Sequence, residues 1–231
     1  MNSRDVCFKA CLMIVALLAS MPSSAALIQV FQYHDAFLTA TGATSATGPL
    51  PNLGKVANAG VGKLQGSVTF TAVPLSIDLW FGQGGGVDWT PLIPGNEIAI
   101  GERENLDARF NAPVYAAGFD FAEPTCASGC GASTFAITLR DVANNSVGAF
   151  TFAPKQDVEQ FFGVWSDTPF TLMQIRETLP PDSSNEYFGQ FYSSTKVYIN
   201  TPVPEPSVMI MLCAGALGMA GLARRKRSAL A

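Results

Sequence analysis

Apolar and polar side chains alternate with a period of two along much of this chain. Residues 64–73 and 75–81 place an apolar side chain at every second position, and Phe135, Ile137 and Leu139 repeat the pattern. Because successive residues of a strand point to opposite faces of a sheet, these runs predict strands with one face in a core and one in water. Shorter runs of the same kind lie at 27–33, 114–121, 147–152, 161–165, 170–176, 187–192 and 195–200.

Turn-forming residues separate these runs, and no segment between the two ends of the chain carries a clear helical stripe. Gly, Pro, Asn and Asp cluster at 49–52, 82–86, 94–96, 144–145 and 180–182. The Thr-rich stretch 39–47 holds one Thr-x-Thr followed by glycine, which predicts a loop. Many short strands with turns between them predict an all-β fold, a jelly-roll β-sandwich, with residues 27–200 as one domain.

The first 26 residues have the pattern of a secretory signal peptide. Arg4 and Lys9 give a basic start, Ala10–Ala19 is an apolar run, and Ser24–Ala26 offers small residues to a signal peptidase. The apolar run is shorter than the roughly 20 residues that a membrane-spanning helix needs. We therefore expect residues 1–26 to be removed during export, with an uncleaved N-terminal anchor as the alternative.

The C-terminal end predicts one transmembrane helix. Ser207–Ala223 is mostly apolar and reaches the short end of what is needed to cross the hydrocarbon core. Four basic residues follow it directly: Arg224, Arg225, Lys226 and Arg227. Because basic residues stay on the cytoplasmic side, this cluster predicts that residues 27–200 lie on the far side of the membrane.

The tail resembles the PEP-CTERM sorting signal of Gram-negative bacteria, a tail that is also labelled an ice-binding protein C-terminal domain. Val203, Pro204, Glu205 and Pro206 come first, the apolar helix second and the basic end last. The resemblance covers residues 203–231 and implies recognition and tail removal by an exosortase. The inner membrane would then hold a transient intermediate before sorting to the envelope, surface or extracellular matrix. An ordinary membrane anchor with a chance Pro-Glu-Pro is the alternative.

Two further segments are similar to exported PEP-CTERM proteins. Residues 117–121 read Ala-Gly-Phe-Asp-Phe and residues 160–164 read Gln-Phe-Phe-Gly-Val. This resemblance implies a lectin-like sandwich of unassigned function. In such relatives the last strand often contains Asp-Asp-Val or Asp-Asp-Ile. In this chain the corresponding residues, Ser193–Val197, read Ser-Ser-Thr-Lys-Val, so the resemblance supplies no acidic site at that strand.

Charge excludes one class of partner. The chain has 18 acidic and 14 basic residues, and two of the acids (Asp5 and Glu205) and six of the bases lie outside residues 27–200. Residues 27–200 therefore contain 16 acids and 8 bases, a net charge of −8. A nucleic-acid binder needs the opposite sign. The 48% hydrophobic and 14% charged residues also exclude a disordered chain.

The cysteines predict one disulfide. Cys7, Cys11 and Cys213 lie in the two end segments, so the exported domain keeps only Cys126 and Cys130. An even pair in an oxidising compartment predicts a bridge in the small-residue loop 124–131. Free thiols are the first alternative, and a zinc site, which needs two more ligands, is the second.

Catalytic chemistry finds little support. The chain has one histidine, His34, which has no recognisable nucleophile near it in sequence and is predicted to lie on the surface. Residues Gly82–Gly86 are predicted to form a flexible turn rather than a phosphate-binding loop. Acidic residues crowd one region: Asp78, Asp88, Glu97, Glu102, Glu104 and Asp107. We expect them to form a solvated acidic surface, with a structural calcium ion as the alternative. We therefore assign no catalytic residue, metal or cofactor.

Two tryptophans are candidates for sugar contact. Trp80 falls on the polar side of its strand and Trp89 in the glycine-rich loop, whereas Trp165 is assigned to the core. Packing in a loop or interface is the alternative for both. The sequence thus predicts an exported, non-enzymatic β-sandwich that associates with carbohydrate or exopolysaccharide. A carbohydrate-active enzyme with paired carboxylates is the alternative function.

Overall fold

A computed structural model describes residues 26–56, 62–74, 77–83, 92–100, 105–124, 133–179 and 186–197 of the 231-residue chain. It is mostly β, as the alternation predicts. The strands are β1 (Ile28–Phe31), β2 (Thr44–Ser45), β3 (Gly54–Val56), β4 (Lys63–Gln65), β5 (Val68–Val73), β6 (Leu79–Gly82), β7 (Glu97–Ile100), β8 (Asn105–Ala122), β9 (Thr134–Arg140), β10 (Ser146–Phe152), β11 (Gln160–Leu179) and β12 (Glu186–Ser194). Within these described ranges, one helix, α1 (His34–Thr41), joins them.

All the strand pairs are antiparallel, and two long strands divide the sheet into two layers. The front layer contains β1, the first half of β11, the second half of β8, then β12, β7, β6 and β3. The back layer contains β10, β9, the second half of β11, the first half of β8, then β5 and β4. Pairing between β8 and β11 is irregular between Trp165 and Leu172, where both strands pass from one layer to the other.

The two layers pack face to face through phenylalanine rings. Phe121 of the front layer meets Phe135 of the back layer at 5.2 Å between ring centroids, and Phe70 of the back layer meets Phe191 at 4.8 Å. These rings are fully buried. Burial of each large aromatic side chain stabilises the fold by roughly 1.5–3 kcal/mol, so the alternation in sequence decides which face of each strand joins this core.

The outer face of the front layer holds a second apolar cluster under α1. Phe37 of α1 is fully buried, and its ring lies 5.5 Å from Phe31 and 5.2 Å from Phe161. Gly118 of β8 pairs directly with Gly163 of β11 beneath these rings. Because neither glycine carries a side chain, the aromatic rings of the helix and of Phe161 can lie close to the sheet.

The helix corrects the expectation that none occurs between the two ends. It covers the first part of the Thr-rich stretch that was assigned to a loop, and Thr44–Ser45 form β2. Eight residues make only about two turns, so the buried positions Phe37, Ala40 and Thr41 do not repeat often enough to form a recognisable stripe. Gly42 ends the helix in the left-handed region at φ 62°.

Other strand boundaries also differ from the alternation. Residues 64–73 form the hairpin β4–β5 rather than one strand, because Gly66 adopts a positive φ of 58° at the turn. Residues 161–165 and 170–176, expected as two strands, belong to the continuous β11. Residues 195–197 are not in a strand, and 198–200 lie outside the described residues.

Several sequence predictions concern residues that the structure does not describe. They are the signal peptide apart from Ala26, the Cys126–Cys130 bridge, Trp89, the sorting tail and its basic end. Within the described parts of the chain, no helix is long and apolar enough to cross a membrane.

The glycine pair gives a first prediction. A Cβ atom at position 163 would lie 2.7 Å from Cδ2 of Phe37 and 2.8 Å from Cε1 of Phe161. We expect Gly163→Ala to lower the free energy of unfolding by about 1–3 kcal/mol, because these rings must move from a packed position. Urea denaturation measures the loss.

A double-mutant cycle provides the control. In a Phe161→Leu background one of the two rings is absent, so Gly163→Ala should cost at least about 0.5 kcal/mol less than in the wild type. Equal costs in both backgrounds would show that the steric conflict with Phe161 is not the cause.

Candidate functional site

A cleft of about 620 Å³ opens on the front layer beside the start of α1. One wall comes from the segment between β1 and α1, residues 32–35, and the other from the β10–β11 connection and the start of β11. Asp120 of β8 also lines it. Because β1 and β8 both pair with β11, the sheet register brings these three distant segments together.

Asp120 lies at this position because of the strand alternation. Phe119 and Phe121 point into the core between the layers, so the residue between them points to the outer face. The hydroxyl of Tyr192 on β12 donates a hydrogen bond to Asp120 Oδ2 at 3.1 Å. A carboxyl group thus lies among aromatic side chains with one neutral donor.

Burial raises the pKa of Asp120 from 3.8 to about 6, and it is the largest effect on this group. The hydrogen bond from Tyr192 and the charge of His34 act in the opposite direction, whereas the negative charge of Glu159 raises the pKa further. Burial and the nearby Asp120 raise the pKa of Tyr192. Asp120 therefore changes its charge near neutral pH.

His34, the first residue of α1, packs against two rings. Its ring centroid lies 5.0 Å from that of Phe161 and 4.6 Å from that of Tyr192. The side chain is 37% exposed, and Nδ1 lies 3.9 Å from Asp35 Oδ1. Nε2 is buried and has no hydrogen-bond partner among the described residues. His34 therefore lies at the surface, as the sequence predicts, and forms part of the wall of the cleft.

The β10–β11 connection is held in place by its own hydrogen bonds. The side chain of Gln160 accepts from the amide of Lys155 at 3.1 Å and donates to its carbonyl at 2.9 Å. The amide of Asp157 donates to the carbonyl of Glu123 at 2.8 Å. These contacts fix the wall from both sides, so a ligand would meet a preformed surface.

The mouth of the cleft is polar and carries one exposed aromatic ring. Tyr33 is 76% exposed, and Gln32, Lys155 and Glu159 beside the opening are also exposed. An exposed tyrosine offers an apolar ring face with a polar edge, which suits contact with a ligand of mixed polarity.

Trp80, one of the two tryptophans proposed for sugar contact, lies elsewhere on the front layer. It packs against the small buried cluster of Ile93, Ala99, Ala122 and Tyr187. The Lys55 ammonium lies 5.6 Å from its ring centroid. These contacts favour the packing interpretation for Trp80.

The acidic residues expected on one solvated surface are spread over the fold. Asp78 pairs with Lys55 at 2.7 Å, and Asp107 pairs with Arg176. Glu97 is fully buried and accepts a 2.7 Å hydrogen bond from the amide of Ile93. The prediction of solvent exposure is therefore wrong for Glu97, and Asp88, Glu102 and Glu104 lie outside the described residues. In the described ranges no three His, Cys, Asp or Glu side chains group as metal ligands.

A second carboxyl that the sequence analysis did not single out is Glu186 at the start of β12. It is fully buried, and neither of its carboxyl oxygens has a hydrogen-bond partner within the described ranges. Burial raises its pKa well above the usual value. The neighbouring Tyr187 also has a raised pKa, first because of burial and then because of the charges of Glu97 and Glu186.

In the sequence, Asp120 stands out only within the resemblance at residues 117–121, and its place in the cleft is not predicted. A usable signal was present, because Asp120 is the one acidic residue within the aromatic run 119–121. The position of His34 directly after a predicted strand was the one sequence feature that could have indicated its role. Nothing in the sequence shows that its ring packs against Phe161 and Tyr192.

The shifted pKa of Asp120 gives a second prediction. Its folded value of about 6 exceeds the unfolded value of 3.8, so ionisation is less favourable in the folded protein. The wild type should therefore lose stability relative to Asp120→Asn, which cannot ionise at this position, as pH rises from about 4 through 6. Urea denaturation of both proteins across this pH range measures the difference.

Tyr192→Phe serves as the matched variant. It removes the hydroxyl that favours the charged carboxylate, so the pH-dependent loss should move to higher pH than in the wild type. Superimposable stability profiles for the wild type and Asp120→Asn would contradict the prediction.

Comparisons with known proteins address the sorting tail and the fold separately. Residues 202–227 match the family model of the PEP-CTERM protein-sorting motif. No curated protein is significantly similar to the chain. Among solved structures, a family 29 carbohydrate-binding module variant in complex with cellulohexaose has 13% identity and a TM-score of 0.39, covering 68% of this chain and 92% of its own. Another family 29 carbohydrate-binding module has 10% identity and a TM-score of 0.33, covering 73% and 90%.

The match at residues 202–227 confirms the tail that the sequence analysis recognised. The motif implies exosortase-dependent sorting and indicates an exported protein that is routed through the membrane to the cell surface. The chain is thus a protein that carries a PEP-CTERM protein-sorting motif at its C-terminal end.

Proposed function

We propose that this is an exported, non-enzymatic surface or matrix protein whose β-domain binds saccharide chains in the cleft beside α1. The sorting motif supports export, and the cleft supports binding. The observation that carries the binding proposal is the exposed Tyr33 ring at the mouth of a preformed, polar cleft.

The dimensions of the cleft fit a small part of a polymer. Its volume of about 620 Å³ lies within the range of small-molecule sites, roughly 300–1,000 Å³. The cleft opens at the surface, so a bound chain can extend from it into solvent. A saccharide chain needs such an open site, because a few of its sugar residues are bound while the rest of the chain stays in solvent.

The chemistry of the walls also fits a saccharide. Sugar rings combine apolar faces of C–H groups with hydroxyls that both donate and accept hydrogen bonds. Tyr33 offers a ring face to the first, and Gln32, Glu159 and Lys155 offer amide, carboxylate and ammonium groups to the second. Since the Gln160 side chain fixes the loop that carries two of these groups, little ordering of the wall is needed on binding.

Export and sorting complete the proposal. Residues 1–26 act as a signal peptide cut by signal peptidase, and 207–223 form a transmembrane helix whose basic end, 224–227, stays in the cytoplasm. An exosortase then removes the tail, and the protein moves from the inner membrane to the envelope, surface or extracellular matrix. The Cys126–Cys130 disulfide and a lectin-like jelly-roll order of strands belong to the same proposal.

The saccharide proposal predicts a measurable role for Tyr33. The full-length chain in detergent, titrated calorimetrically with a panel of neutral, amino and acidic hexasaccharides, should bind at least one of them. Tyr33→Ala should weaken that binding about fivefold, because an aromatic stacking contact is worth about 1 kcal/mol. Product analysis of the same mixtures should show no hydrolysis.

Two variants control this experiment. Tyr33→Phe keeps the ring and should bind within about twofold of the wild type, while Leu64→Ala removes an exposed apolar side chain from β4, in the back layer. If Tyr33→Ala binds as well as Leu64→Ala, the cleft is not the binding site. Hydrolysis of any hexasaccharide would favour the enzyme alternative.

The sorting proposal predicts the effect of changing the tripeptide. Pro204 and Pro206 lack backbone donors and hold φ near −65°, so the tripeptide resists incorporation into a helix or strand and stays accessible to a protease. Replacing Pro204–Pro206 by alanines should leave export intact but block processing, so full-length protein accumulates in the inner membrane. Fractionation and immunoblotting measure its size and location.

Deletion of residues 203–231 is the matched variant and should release a soluble domain to the periplasm. An alanine variant that still loses its tail and reaches the surface would favour a plain C-terminal anchor over exosortase processing.

A further inference from the structure

We propose that the ligand of the cleft is a polysaccharide that contains amino sugars, with a protonated amine held beside Asp120 and Glu159. This inference rests on the proposed saccharide function and names the class of sugar. It comes from three features of the cleft: an open carboxylate, a group of aromatic rings and an excess of negative charge.

The carboxylate of Asp120 is only partly satisfied. Tyr192 donates to Oδ2, and it is the one side-chain hydrogen-bond donor to Asp120 found within the described residues. The group lines the cleft, so acceptor capacity remains for a donor that arrives with a ligand. Glu159 lines the same cleft as Asp120, and the negative charges of the two carboxylates repel each other. A bound cation would relieve this repulsion.

Two aromatic residues lie beside the same carboxylate, because Tyr192 donates to it and Phe161 pairs with Asp120 between β11 and β8. The centroid of the Tyr192 ring lies 4.6 Å from that of His34 and 6.1 Å from that of Phe161, and His34 and Phe161 are 5.0 Å apart. The negative faces of aromatic rings attract ammonium groups, and proteins use such groups of rings to bind ammonium ligands. The Tyr192 and Phe161 rings beside the carboxylate therefore favour a positively charged group over a hydroxyl.

The net negative charge of the cleft and of the domain also favours a positively charged ligand. Asp35, Asp120 and Glu159 line the cleft together with the basic residues Lys155 and His34, so acidic side chains outnumber basic ones. Residues 27–200 carry 16 acids and 8 bases, a net charge of −8. This field repels uronate-rich polysaccharides and attracts chains with protonated amines. A neutral sugar gains nothing from it.

A matched pair of ligands tests the inference. The β-1,4-linked hexamer of glucosamine and its N-acetylated counterpart share one backbone and differ in charge. Calorimetry with the full-length chain in detergent at pH 7 and low salt should give at least about tenfold tighter binding of the glucosamine hexamer. Raising the sodium chloride concentration to 0.5 M should reduce this ratio, since salt screens the charges.

Two variants connect the effect to the cleft. Asp120→Asn and Glu159→Gln each remove one carboxylate, so each should reduce the glucosamine preference to below about threefold. Glu159 is exposed, so its variant keeps the test available if Asp120→Asn disturbs the fold. An unchanged preference in a folded variant of Asp120 and in Glu159→Gln would overturn the inference.

The remaining ligands separate this inference from the general proposal. Equal binding of the N-acetylated hexamer or of cellohexaose would overturn the amino-sugar assignment but leave saccharide binding intact. Tightest binding of an oligogalacturonate would overturn it as well. Tighter binding of hexalysine than of the glucosamine hexamer would assign the cleft to a basic peptide. Failure of every saccharide to bind would overturn both proposals.

Discussion

The register between β8 and β11 is the constraint on which the rest of the structure depends. It pairs Gly118 with Gly163 and Phe119 with Phe162, so the two segments with Gly-Phe-Asp and Phe-Phe-Gly-Val lie side by side. The phenylalanines then face the core, and the glycines give room on the outer face for Phe161 and α1. A shift of one residue would exchange the two faces, burying Asp120 between the layers and exposing Phe119.

The same register places a carboxyl where burial disfavours its charge. Asp120 could be satisfied more fully by a backbone amide or a lysine, yet the described residues offer it the hydroxyl of Tyr192 and a set of aromatic rings. Polar groups with shifted pKa values concentrate at binding and catalytic sites, because a group that is well satisfied within the protein has little left to offer a ligand. The register between β8 and β11 thus places Asp120 at the cleft and also gives it the burial that raises its pKa.

Local patterns predicted the strands well where one face is buried and the other wet. The run Phe135, Ile137 and Leu139 forms β9 as expected, because each of its apolar side chains reaches the core. The alternation did not reveal the turn at Gly66, because apolar and polar residues keep alternating through it. It also did not reveal α1, because an eight-residue helix is too short to show a helical period. The candidate site could not be predicted, since Tyr33, Asp120 and Glu159 become neighbours only through the pairing of β1, β11 and β8.

The position of the sorting motif relative to the cleft links the two parts of the proposed function. β12 ends at Ser194, two residues beyond Tyr192, which donates to Asp120 of the cleft, and the sorting tripeptide begins at Pro204. Residues 195–203 between them can span at most about 30 Å even when fully extended. If the tail is inserted in the membrane as proposed, the cleft is held within a few nanometres of the bilayer, where a long polymer has little room. Removal of the tail releases this restriction, so processing would place the binding site where extended polysaccharide chains can reach it.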